Sequence, residues 1–285
     1  MKSGSGRRPR AAPPCASSEV SVSKTDGKTS GWAAIGSVVI GAIHLRKEQP
    51  CQDALYLSPA NSDYAIACVA DGHGSASCPY SDEGAAAAVK IAGELLQTML
   101  PNLSDHKDVW LPKKLVAMWQ EAVQKIHEEN GREMTDPFPY TLYGTTLLAL
   151  AATNSFVFAL QIGDGNILMI DADGTARPVL AEAESVGEDT ESLCLADAWK
   201  YIRTQIIPWT PKKGAPMFML STDGYANGFT NNAGFLKAGS DIFNIRQTEG
   251  LDYIGNELPA WLRQSSDKGS GDDIALALVT YKNEV

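Results

Sequence analysis

Four strongly apolar runs in this chain each begin or end at a short acidic motif carrying glycine. Residues 66–70 run into Asp71-Gly72-His73-Gly74, and residues 156–162 run into Gly163-Asp164-Gly165. Residues 217–220 run into Ser221-Thr222-Asp223-Gly224, and Gly271-Asp272-Asp273 opens the run 274–279. Short apolar runs bounded by glycine fit buried strands. Carboxylates at such strand ends can converge on one edge of a sheet core, where they repel each other unless a cation lies between them. The pattern predicts a divalent metal site with oxygen ligands.

The 285 residues are 44% hydrophobic and 20% charged, an ordinary globular balance with net charge -10. An acidic chain is poorly suited to nucleic acid or an anionic membrane as its main partner, and an anionic substrate would need cations to be held. No stretch reaches the ~18 apolar residues of a membrane span, and no apolar segment links Arg7-Arg8 to Cys15 as a signal would require. The five cysteines form no C-x-x-C pair and are odd in number, which suits a reducing, cytoplasmic setting. The scattered His44, His106 and His127 suit packing or surface roles, and a His/Cys zinc site is not expected.

Residues 1–30 hold six basic and two acidic residues among Ser, Pro and Ala, as expected of a disordered basic arm before a body spanning 31–285. Within the body, strands are expected at 33–43, 64–70, 145–151, 156–162, 166–170, 217–221 and 274–281. Helices are expected at 81–100, 108–133 and 251–263, with helical potential around 190–203. Asn154-Ser155 and Asp164-Gly165 fit hairpin turns. The order of elements suggests an α+β fold with a largely antiparallel core.

Taken singly, the acidic motifs are ordinary turn chemistry. Asp171-Ala172-Asp173-Gly174-Thr175 also matches the nucleophile loop of haloacid dehalogenase-like phosphatases, with Asp171 as nucleophile. That match leaves Asp71-Gly72-His73-Gly74 without a role, and a hairpin turn between 167–170 and 176–180 is the simpler expectation.

In order along the chain, Pro50-Cys51-Gln52-Asp53-Ala54, Asp71-Gly72-His73-Gly74, Gly144-Thr145-Thr146, Gly163-Asp164-Gly165, Ser221-Thr222-Asp223-Gly224 and Gly271-Asp272-Asp273 resemble the metal-dependent (type 2C, PPM) protein Ser/Thr phosphatases, in a compact bacterial form. The resemblance covers about 31–282. It implies a four-layer α-β-β-α sandwich with two Mn²⁺ or Mg²⁺ ions at one end. Asp71 would bridge them, the Gly72 carbonyl would bind one, and Asp223 and Asp272 the other. Asp53 would act directly or through water. Asp164, with Asp223, matches a third, weaker site, and His73 matches the proposed general acid.

The implied substrate is a phosphorylated protein, supplied by a cognate Ser/Thr kinase and processed by a monomeric enzyme. A catalytically inactive phosphatase fold serving as a binding module is the alternative. One departure stands out. Relatives carry a phosphate-binding Arg five residues before the acid matching Asp53, and here that position is Glu48. Either Arg46 or Lys47 reaches in, or the site binds phosphate with metals alone. The variable flap of relatives falls at 181–215, where substrate choice is expected to lie.

Overall fold

The computed structural model describes residues 30–59, 61–181, 191–211 and 214–282. The basic arm expected at 1–30 lies outside these apart from Ser30, as do part of the expected flap and the side chain of His106.

Among the described residues, ten strands and seven α-helices follow one another in this order. They are β1 (Gly31–Val39), α1 (Ala42–Lys47), β2 (Asp53–Leu57), β3 (Tyr64–Asp71), α2 (Ser81–Met99), α3 (Leu103–His106) and α4 (Trp110–Glu129). Then come β4 (Leu147–Thr153), β5 (Phe156–Ile162), β6 (Asn166–Ile170), β7 (Ala176–Pro178), β8 (Arg203–Pro208) and β9 (Met217–Ser221). The chain closes with α5 (Asp223–Ala226), α6 (Asn232–Glu249), α7 (Leu251–Ser265) and β10 (Ile274–Lys282). One sheet has the order β1-β10-β9-β6-β7 and the other β2-β3-β4-β5-β8, and every pairing is antiparallel.

The alternation of side chains along a strand divides the interior into three cores. On β3, Ala65, Ala67 and Val69 face the other sheet and meet Ala34, Phe218, Leu220, Ala275 and Ala277. Ile66, Cys68 and Ala70 face outward onto Ala88, Leu95 and Leu96 of α2 and Trp119 of α4. On the far side, Ile35, Met219, Leu276 and Leu278 pack under Phe235, Ile242 and Phe243 of α6 and Ile254, Leu258 and Leu262 of α7. The result is four layers, α-β-β-α. Because both faces of the strands are covered, their sequences are unbroken apolar runs instead of alternating ones.

Three expectations need correction, and one helix was missed. The apolar run at 33–43 is not one strand: β1 ends at Val39 and Ile43 lies in α1. Asp164-Gly165 does not close a hairpin, because β5 and β6 belong to different sheets and the segment crosses between them. The helical potential at 190–203 appears only as one tight turn, Ala198–Lys200, before strand β8, with Thr190 outside the described residues. Helix α6 was not expected at all. It buries only Phe235, Gly239, Ile242 and Phe243, too narrow a stripe to show clear periodicity, although Asn231 caps its start by accepting from the Gly234 N–H at 2.9 Å.

Candidate metal centre and active site

The acids gather where the two sheets end together. Asp53 starts β2 and Asp71 ends β3, and antiparallel register sets them directly opposite each other. Gly144-Thr145-Thr146 fixes the Asp71 backbone from three sides. The Thr146 N–H and the Thr145 hydroxyl both donate to the Asp71 carbonyl at 2.9 Å, and the Asp71 N–H donates to Thr146 Oγ1 at 3.0 Å. Gly72 is held by its N–H to the Gln52 carbonyl at 3.1 Å.

The second sheet contributes the remaining acids. Asp223 opens α5 directly after β9, and Thr222 just before it donates its hydroxyl to Asp53 Oδ2 at 2.6 Å, linking one sheet to the other. Asp272 and Asp273 precede β10 and have different surroundings. Asp273 is 2% exposed and accepts from the Gly41 N–H and the Gln52 N–H, both at 2.6 Å, and pairs with His44 Nδ1 at 2.8 Å. Ser266 donates to the Asp272 carbonyl at 2.8 Å and accepts from the Ala42 N–H at 3.0 Å. Asp273 thus ties α1 and the segment before β2 to the start of β10.

Asp164 rides on the crossing segment between the sheets. Gly163 has φ +97°, and a Cβ there would lie 2.5 Å from Thr146 Cγ2, so glycine is required twice over. The buried Gln161 side chain donates to the carbonyls of Gly163 and Gly165 at 3.1 and 2.6 Å, and Arg203 donates to Gly163 at 3.1 Å.

Electrostatics places these side chains together. Burial first, then the Asp273 charge, pushes Asp53 well above the usual carboxylate range, with Thr222 working against it. Burial, then Asp53 and Asp223, does the same to Asp71. Asp223 is raised by burial and then by Asp164, and its carboxyl lies beside that of Asp71. Burial lowers His73, and Asp164 pulls it the other way, so His73 and Asp164 are neighbours across the site.

Among the described residues, no group of three or more His, Cys, Asp or Glu side chains is arranged to hold a metal ion as the side chains stand. The donor chemistry decides the fit: the acids press on one another, no Lys or Arg is among the main forces on them, and all donors are hard oxygens. A divalent cation of the Mn²⁺ or Mg²⁺ kind suits such a set.

Arg46, expected at the substrate, stands exposed in the last turn of α1, and among the described residues it makes no ion pair. Glu48 caps that helix in the left-handed conformation, with φ 54°. Asp171 lies elsewhere in role: its N–H bonds the Thr175 carbonyl at 3.0 Å in the β6–β7 hairpin, and Arg177 pairs with it at 3.2 Å. His127 is buried between the Tyr143 hydroxyl and the Glu133 carbonyl, each at 3.0 Å. His44 also has a structural partner, the buried Asp273. Gln52, Thr222 and Asp273 also tie the acid-bearing segments together. Only their adjacency to Asp53, Asp223 and Asp272 marked them in the sequence.

The sequence matches the family described as protein phosphatase 2C over residues 40–263. The chain belongs to that family. Solved structures agree in fold. PppA, described as a key regulatory component of T6SS in Pseudomonas aeruginosa, is 14% identical, with TM-score 0.59 over 90% of this chain and 100% of that one. RsbX in complex with magnesium is 13% identical, with TM-score 0.52 over 92% of this chain and 100% of that one. The catalytic domain of the serine threonine phosphatase PstP, with two manganese ions, is 15% identical, with TM-score 0.50 over 90% and 100%. No curated protein sequence matches the chain closely enough to add to this.

Proposed function

We propose that this chain is a protein serine/threonine phosphatase that depends on Mn²⁺ or Mg²⁺ and hydrolyses phosphoserine or phosphothreonine. The observation that carries the proposal is that Asp53 and Asp71 meet in cross-strand register, with Asp223 close enough to raise both. Asp71, Asp223, Asp272 and the Gly72 carbonyl would hold two ions, with Asp53 completing the set. Asp164 beside Asp223 would hold a third. Bound there, divalent cations acidify water and neutralise charge that develops on phosphorus.

The chain's own residues supply the rest. Burial lowers the His73 imidazole, which would give a proton to the leaving Ser or Thr oxygen. Asp164 nearby favours its protonated form. Thr222 and Gln52 hold the acid-bearing segments in place, and Arg46 would meet the substrate phosphate. Within the described part of the flap, residues 192–193 border Thr145 and would shape the approach of a phosphoprotein.

The proposal extends to a cytoplasmic monomer working opposite a Ser/Thr kinase, with neither nucleic acid nor membrane as partner, and with one catalytic domain over 31–285 preceded by a basic arm. Four free cysteines among the described residues support the location, and no helix among them is long and apolar enough to cross a membrane.

The test is hydrolysis of para-nitrophenyl phosphate and of a phosphothreonine peptide, in EDTA and with added Mn²⁺ or Mg²⁺. Wild type is compared with Asp71→Ala, Asp223→Ala and Asp171→Ala. Metal-dependent turnover that is lost in the first two variants and kept in the third supports the proposal. Absence of turnover with either metal would replace it with the inactive binding module.

A further inference from the structure

Cys78 and Cys194 lie far apart in the chain yet flank the same point. A Cβ built on Gly144 would sit 3.2 Å from Cys78 Sγ, 3.3 Å from Cys194 Sγ and 2.7 Å from His73 Cδ2. Two thiols and the edge of the His73 ring therefore crowd one position, which only glycine leaves open. Both thiols are free. Cys78 is 5% exposed and Cys194 is half-buried, so an oxidant reaches the second first.

Contacts that involve neither sulfur hold the two segments in place. Ser192 Oγ accepts from the Thr145 N–H at 3.1 Å and donates to the Thr145 carbonyl at 3.0 Å, and the Leu193 N–H donates to the same carbonyl at 3.0 Å. On the other side, the His73 N–H donates to the Gly144 carbonyl at 3.0 Å and the Cys78 N–H to the Ser75 carbonyl at 2.9 Å. The root of the flap and the His73 loop are thus docked on the same two residues, Gly144 and Thr145, with one thiol on each.

We propose that Cys78 and Cys194 form a reversible disulfide under peroxide, stapling the flap root to the His73 loop. Its existence is independent of the phosphatase proposal, and its consequence rests on it. The Cys194 thiolate attacks one peroxide oxygen, the O–O bond breaks, and hydroxide leaves as water once protonated, giving a sulfenic acid. The Cys78 thiolate attacks that sulfur, the S–S bond forms, and the hydroxyl leaves as a second water. Two thiols are oxidised by two electrons and one peroxide is reduced. Burial pushes the Cys194 thiol up, which keeps the attacking thiolate scarce.

A disulfide holds its sulfurs about 2.05 Å apart. Closing on the point beside His73 Cδ2 displaces the imidazole from its place against Gly144. General acid catalysis is typically worth about 10²–10⁴ in rate, so stapling lowers turnover at least ~10-fold.

The experiment treats the full chain with hydrogen peroxide, blocks remaining thiols with N-ethylmaleimide, and maps peptides without reduction. The expected result is a Cys78–Cys194 cross-linked peptide that disappears with dithiothreitol and is absent in Cys194→Ser and Cys78→Ser. Metal-dependent turnover should fall with the cross-link, recover with dithiothreitol, and resist peroxide in both variants. Oxidation of Cys51 without the cross-link overturns the proposal, as does a complete cross-link that leaves turnover unchanged. If the untreated chain has no turnover, the phosphatase proposal fails on its own. The peptide map, with hydrogen exchange slowed across 192–198 in the oxidised form, then decides the staple alone.

Discussion

Asp53 and Asp71 sit directly opposite each other on neighbouring antiparallel strands, both raised by burial and by surrounding carboxylates. Like charges so placed destabilise a sheet by roughly 0.2–1 kcal/mol per pair. Asp53→Asn removes one charge and keeps an oxygen to accept the Thr222 hydroxyl. In EDTA its melting temperature should rise by about 1–4 °C, since ~1 kcal/mol moves a domain of this size by a few degrees. Mn²⁺-dependent turnover should fall at least ~10-fold. A melting temperature that drops in EDTA would show that the two carboxylates do not oppose each other in solution.

The same carboxylates set a pH dependence. Asp53, Asp71 and Asp223 have folded-state values raised above those of the unfolded chain. Their contribution to stability is fully present below the ordinary aspartate value of about 4 and is lost as pH rises through the raised values. In EDTA, stability to urea should therefore fall as pH climbs from about 4 toward neutrality, and saturating Mn²⁺ should remove most of that fall. A urea midpoint in EDTA that rises steadily over this range would contradict the assignment.

Asp272 and Asp273 are adjacent but should behave oppositely. Asp273 satisfies two backbone N–H groups and His44 in a buried setting. Asp273→Ala strands those donors and should cost about 3–5 kcal/mol in urea unfolding. Asp272→Ala removes a carboxylate proposed to hold metal and should leave stability in EDTA within ~1 kcal/mol while abolishing metal-dependent turnover. Equal stability losses in the two variants would refute the division of labour.

The sequence carried the acids proposed to hold metal because they end apolar runs covered on both faces, where a carboxylate needs a reason to be. It could not separate Asp273 from Asp272, since the partners of Asp273 lie more than 200 residues away. Asp164-Gly165 has good hairpin chemistry, but local chemistry does not say which sheet receives the next strand, and here the chain crosses over. The run at 33–43 is apolar throughout, yet it turns into α1 where the Gly41 N–H finds Asp273. These three misses trace to long-range contacts overriding a correct local preference, whereas α6 was missed because its buried stripe is narrow.

Glu48 occupies the place where the family resemblance puts a basic residue, close to the exposed Arg46. Arg46→Ala should raise KM for a phosphothreonine peptide about 10-fold with kcat nearly unchanged, because it removes binding common to substrate and transition state. Glu48→Gln should lower KM by relieving repulsion of the phosphate. Unchanged KM in both variants would leave phosphate recognition to the metal-facing residues.

Thr222 offers the sharpest separation of support from ligation. Its hydroxyl donates to Asp53 Oδ2 at 2.6 Å, and it accepts from the Ala275 N–H at 2.9 Å, binding both sheets at the site. Thr222→Val keeps the branched shape and deletes these bonds. Losing a hydrogen bond that orients a ligand typically costs about 10–100-fold in metal affinity. Half-saturation by Mn²⁺, followed by turnover and independently by calorimetry, should shift upward by that factor, and Thr222→Ser should restore it. Free of the donor that lowers it, Asp53 should also hold its proton to higher pH, so the Mn²⁺ requirement should steepen on acidification. Calorimetric affinity equal to wild type in Thr222→Val would mean that Asp53 needs no help in facing the metal.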